Sequence, residues 1–169
     1  HRPRWDENRA NFVPDKLPVG MRVAGAANGN LALGEALLTG YRAGLAAAVS
    51  CGHAGSMPAL PRIPEESTRR VPLWRVKRAA GKCFVDFQND VTADDIELAE
   101  REGFRSVEHA KRYTTLGMAT DQGKTSNVTG IALLAQHRGR SIADTGTTTF
   151  RPPYTPIAMG AMAGHHRGK

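Results

Sequence analysis

The sequence predicts an α+β chain that is mainly α: a single β-α unit, a proline-rich connector, and then a small helical domain. Three observations predict it. Residues 17–51 run from a short apolar stretch through a glycine turn into a long helical pattern. Residues 55–82 carry Pro58, Pro61, Pro64 and Pro72 with little periodicity. From Cys83 onward, short apolar-periodic segments alternate with residues that start and stop helices.

Met21–Ala27 (MRVAGAA) is expected to be a strand, Asn28-Gly29 the turn, and the helix to begin near Leu31. Along it Leu33, Leu37, Leu38, Tyr41, Leu45, Ala48 and Val49 recur at helical spacing, while Gly40 and Gly44 leave one side thin for the close approach of a sheet or helix. One β-α unit does not cover both faces of its strand, so the rest of its sheet is expected outside these residues. In the second half FVDF is a possible strand. Thr92 is placed to cap a helix over Ala93–Arg101, with Asp94 and Asp95 in its first turn, where the helix dipole favours negative charge. Gly103 ends that helix. Ser106 caps a second through Tyr113, and a third runs from about Ser126 to His137 with Val128, Ile131, Ala132 and Ala135 on one face and Gly139 as its stop. FRPPYTP at 150–156 is expected to be extended, and the Gly/Ala-rich tail after it carries no helix or strand signal. The tail reads as continuing beyond this sequence.

Forty per cent hydrophobic and 23 % charged residues describe a globular protein. The most apolar stretch, 31–49, is interrupted by Gly34, Glu35, Gly40, Tyr41, Arg42 and Gly44, so no membrane span is expected. The opening HRPRWDENRANF has no signal or transit pattern, and Cys51 and Cys83 stand at no metal-ligand spacing. Buried, inert, reduced thiols in a cytoplasmic protein are expected. A net charge of +7, concentrated at Arg69, Arg70, Arg75, Lys77, Arg78 and Lys82 and again at His165–Lys169, invites an anion. Aromatic residues are 6 % of the chain and do not interleave with the basic runs, which argues against a nucleic-acid platform.

GMATDQGKTS at 117–126 lies just ahead of the third helix, where backbone amides and Lys124 can receive a phosphate. It departs from a P-loop: five residues, not four, separate Gly117 from Gly123, and no strand precedes it. Phosphate contact through Lys124, Thr125 and Ser126 and simple helix capping both remain open. The turn Gly25–Gly29 has no GxGxxG and is either a close approach for a ligand or a tight turn needing positive φ. Asp86, Asp90, Asp94 and Asp95 lack calcium-loop spacing and are expected to be a solvated helix start. No Ser-His-Asp or Cys-His set is present, so no catalytic and no metal-binding residue is assigned.

The stretch KCFVDFQNDVTADDIELAEREGFRSVEHAKRYTTLGMATDQGKTSNV is similar to the small helical domain of the alpha subunits of heterotetrameric sarcosine oxidases and of related opine- and proline-oxidising flavoenzymes. TTTFRPPYTP and VAGAANG with its helix extend the resemblance over most of the chain. It implies that 1–54 is the closing part of a two-dinucleotide-binding (FAD/NAD(P)-type) domain, 55–82 a linker, 83–140 the helical domain, and 141–169 a connector toward a folate-binding domain of aminomethyltransferase type. In cluster-binding relatives the helical domain holds a 2Fe-2S cluster on four cysteines, whose places fall here on Asp86, Gln88, Asp121 and Ser126. None supplies a thiolate.

The resemblance further implies a cytoplasmic flavoenzyme that demethylates sarcosine to glycine, releases hydrogen peroxide and passes the one-carbon unit to tetrahydrofolate. FAD and the sarcosine pocket belong to the beta subunit, FMN lies between alpha and beta, and gamma and delta complete the assembly. For this segment it implies NAD contact at Ala26, Leu31 and Leu33, the last in place of an expected polar residue. FMN-phosphate contact is implied at Lys124, Thr125, Asn127 and Arg151. The alternative from another class is a non-catalytic interaction module whose basic linker docks an acidic partner subunit.

Overall fold

The computed structural model describes residues 2–78, 80–150, 155 and 157–166. Two compact units divide between Pro72 and Leu73, inside the connector, where 53–74 carry no helix or strand.

In the first unit, β1 (Arg4–Asp6) and β2 (Asn11–Val13) form an antiparallel hairpin with Trp5 opposite Phe12. The Trp5 and Phe12 rings meet edge to face at 5.0 Å, and Trp5 and Val13 are buried. Asp6 closes the turn by accepting from the Arg9 amide at 3.1 Å and from its guanidinium at 2.8 Å. Arg9 Nε in turn donates to the Gly29 carbonyl at 2.7 Å, tying the hairpin to the glycine turn. Gly29 has φ 78°, and a Cβ there would lie 2.9 Å from Val13 Cγ1, so both backbone angle and close approach require glycine. A 3-10 turn over Gly25–Asn28 precedes α1 (Leu33–Ser50), none of whose residues is buried.

The strand expected at 21–27 is not formed. Residues 21–24 belong to no strand and 25–28 make the 3-10 turn, because a strand is stabilised by a ladder partner and β1 and β2 pair with each other. Nor do Gly40 and Gly44 meet a neighbour: a Cβ at either would touch nothing within 4 Å. Cys51, expected to be buried, is exposed at the end of α1, and both cysteines are free thiols.

The second unit is mainly helical, and the whole chain is α+β, mainly α. β3 (Phe84–Asp86) and β4 (Val91–Thr92) form a second short hairpin with a register shift between Phe84 and Asp86. Thr92 then starts α2 (Ala93–Arg101) with a full capping box: its hydroxyl accepts from the Asp95 amide, and its own amide donates to the Asp95 carboxylate at 2.8 Å. Ser106 caps α3 (Val107–Thr114) by accepting from the His109 amide. α4 (Asn127–His137) is the centre of the core, packed against α2 and against α5 (Ile142–Thr145). Gly130 through Ala135 are all buried, and a Cβ on Gly130 would overlap Leu116. α6 (Met159–Ala163) occupies the tail where no helix was expected; Ala and Met favour helix strongly enough to form one turn despite Gly160. Among the described residues no helix is long and apolar enough to cross a membrane.

Candidate functional site

The residues singled out by sequence fall into two groups, one in each unit. In the first, Ala26 lies exposed on the 3-10 turn and its carbonyl accepts from the Gly29 amide at 2.9 Å. Leu31 is half-buried. Leu33, 52 % exposed, opens α1, and its amide donates to Glu66 Oε2 at 3.1 Å, so a carboxylate from the connector stands at the positive end of the helix. Beside this turn opens a polar cavity of about 540 Å³, lined by Arg9, Gly29, Glu35, Thr68, Arg69 and Arg70 among others. Arg9, Arg69 and Arg70 in this lining favour an anionic occupant, offset by Glu7 and Glu35 in the same lining and by the pairing of Arg9 with Asp6.

The second group surrounds the loop 117–126. Here the donors converge on the chain's own Asp121: Gly123 N–H reaches Oδ1 at 3.0 Å and the Thr125 hydroxyl reaches Oδ2 at 3.1 Å. The Gly123 amide holds the Asp121 carboxyl below its usual range; partial burial opposes this, while Thr125 and the charge of Lys124 reinforce it. Lys124 and Thr125 are exposed. Asn127 lies across Gly117 and Gly123, where a Cβ on either glycine would overlap its side chain, and its Nδ2 donates to the Gln122 carbonyl at 3.2 Å. Asn127 Oδ1 and Ser126 Oγ are buried without a hydrogen-bond partner among the described residues. The structure therefore places Lys124 and Thr125 exposed on the loop and Asn127 inward against its two glycines, while Arg151 lies outside the described residues.

Asp86 corrects the sequence reading of a solvated acidic run. It is 3 % exposed and accepts three backbone hydrogen bonds, from Gln88 at 2.9 Å, Asn89 at 3.3 Å and, across the fold, Gly117 at 2.7 Å. Its role is to anchor the 117–126 loop to the β3–β4 hairpin. Asp94 does match the expected exposed helix start, and it pairs with Arg75 at 2.6 Å. Among the described residues no three His, Cys, Asp or Glu side chains gather as a metal site. The one local signal for Asp86 is the turn sequence after it, and its long-range bond to Gly117 has none.

The helical unit with this loop coincides with the match to the family model of the sarcosine oxidase A3 domain, which covers residues 80–165. The chain belongs to the sarcosine oxidase A3 domain family. Over 169 residues it is 46 % identical to the sarcosine oxidase alpha subunit of Rhizobium meliloti (strain 1021), covering 99 % of this chain and 17 % of that protein. It is 41 % identical to the alpha subunit of the sarcosine oxidase from Corynebacterium sp. (strain P-1), over 98 % of this chain and 18 % of that one. One of the opine oxidase subunits of Rhizobium meliloti (strain 1021) is 34 % identical over 74 residues, 44 % of this chain and 16 % of that protein. The chain thus spans less than a fifth of the curated sarcosine oxidase subunits it matches.

Proposed function

We propose that this segment is a cofactor-holding part of the alpha chain of a sarcosine oxidase, contributing to an NAD site through its first unit and to an FMN-phosphate site through its second. The observation that carries the FMN reading is the exposure of Lys124 and Thr125 on the loop that runs directly into the N-terminus of α4. There a cation, a hydroxyl and the helix dipole favour a phosphate once it displaces Asp121 from the Thr125 hydroxyl. Lys124 and Thr125 are exposed, so both fit a phosphate arriving from a partner surface. Asn127 sets the loop by packing over its two glycines, and Arg151, outside the described residues, is assigned as a second cation on the family resemblance alone. Bound FMN would relay electrons from FAD in the beta subunit. The residues of this chain hold its phosphate and perform no bond-breaking step.

The assembled enzyme in this reading is a cytoplasmic complex of alpha, beta, gamma and delta subunits. It converts sarcosine to glycine with release of hydrogen peroxide and delivers the one-carbon unit to tetrahydrofolate. For NAD, the support is the arginine-lined cavity beside Gly29 and the exposed edge of the turn at Ala26. Residues 1–54 then close the dinucleotide-binding domain, 55–82 link, 83–140 form the helical domain, and 141–169 lead toward the folate-binding domain.

Two measurements on the intact complex test this. Thr125→Ala combined with Arg151→Ala is expected to release FMN on gel filtration, and full retention would refute the FMN assignment. A tryptophan at Ala26 is expected to weaken NAD about tenfold or more, the loss of roughly one good contact; unchanged affinity would remove the turn from the site.

A further inference from the structure

Lys111 is 4 % exposed, although lysines are seldom buried without a partner. Its ammonium donates to the Thr149 carbonyl at 2.7 Å, and one turn earlier on the same helix Glu108 Oε1 accepts from the Thr149 amide at 2.6 Å. A single residue's backbone is thus gripped from both sides by two oppositely charged side chains at i and i+3 of α3, which share a helix face. Glu108 is steadied in turn by Arg112 at 3.6 Å. Glu108, Lys111 and Arg112 also line a small cavity of about 60 Å³ together with Met118 and Gln122 of the 117–126 loop. The grip therefore sits where α3, the loop and the chain leading to FRPPYTP meet. An apolar residue would fill the Lys111 position at lower desolvation cost, so packing alone does not account for a lysine there.

We infer that Glu108 and Lys111 form a peptide clamp that holds the chain at Thr149 against the face of α3 that shares a cavity with the 117–126 loop, and so helps set that loop for the flavin phosphate. They are positioning residues, and the inference rests on the FMN reading above. Its test uses the full-length chain in its complex, with hydrogen exchange at the Thr149 amide and FMN retention read side by side. Lys111→Met, which keeps the volume, and Glu108→Ala, at a half-exposed side chain, are each expected to speed Thr149 exchange about tenfold, the factor for one lost hydrogen bond. Both should also lower FMN retention while α4 exchange stays unchanged, and Lys111→Arg should restore part of it. Faster Thr149 exchange with undiminished FMN, in a background where Thr125→Ala does lose FMN, would overturn the clamp. FMN retained in Thr125→Ala combined with Arg151→Ala would bring down the flavin reading, and the clamp's role with it.

Discussion

The two longest helices behave in opposite ways. α1 has 18 residues and a strong apolar repeat, yet not one of them is buried; α4 has 11, and six consecutive residues, Gly130–Ala135, are out of solvent. The difference lies in what surrounds them. α4 is packed by α2 and α5 and approached by Leu116 at Gly130, whereas α1 touches the 3-10 turn along part of its first half and leaves Leu33, Tyr41 and Val49 exposed. Apolar content makes a helix eligible for a core, and neighbours make the core.

The two hairpins repeat the contrast at smaller scale. Both place an aspartate before a four-residue turn, pairing Asp6 with Asn11 and Asp86 with Val91, and both put a non-glycine residue at positive φ in the last turn position, Ala10 at 49° and Asp90 at 53°. Asp6 gives its second oxygen to the Arg9 guanidinium of its own turn, whereas Asp86 reaches across the unit to the Gly117 amide. The same local device is a turn closure in one unit and a core anchor in the other.

The comparison can be broken most sharply at the helices. Leu133→Ala in α4 is expected to cost about 2–5 kcal/mol, read as lost amide protection in the helical unit, while Val49→Ala in α1 should change stability by less than about 0.5 kcal/mol. Equal costs would contradict it. Next in size, Asp86→Ala leaves three backbone N–H groups without their acceptor and is expected to cost about 1–3 kcal/mol and to free the loop, visible as faster exchange at Gly117. Thr92→Ala removes the capping box and should cost about 1 kcal/mol, confined to α2.

The smallest effect is the pH response of the loop. The Asp121 carboxyl titrates below its usual range, so its contribution is fully present above the unfolded value of about 3.9 and is lost as pH falls through the lower folded value. The Gly123 amide resonance should be flat from about pH 7 to 5 and should move only below about 4; movement near neutrality would place a different group at the loop.

Helix starts and stops in the second unit are legible in the sequence because they are local: Thr92, Ser106, Gly103 and Gly139 act on backbone groups within a turn or two of themselves. The hairpin β1–β2 is silent there because its turn uses Ala10, not glycine, at positive φ, leaving no turn signal in the letters. The strand expected at 21–27 fails because an apolar run reports the tendency to pair and not the presence of a partner. In the site, the nearness of Lys124, Thr125 and Asn127 follows from sequence adjacency, and Asp121 acts within the same loop. Asp86 on Gly117 and Lys111 on Thr149 join residues far apart in the chain, which no periodicity or motif could pair.

In the proposed reading the 117–126 loop faces the phosphate of FMN. Phosphorus NMR of the flavin in the intact complex tests it most directly. Thr125→Ala is expected to shift and broaden the FMN phosphate resonance while leaving other phosphorus signals in place; a spectrum identical to that of the unaltered complex would contradict the account.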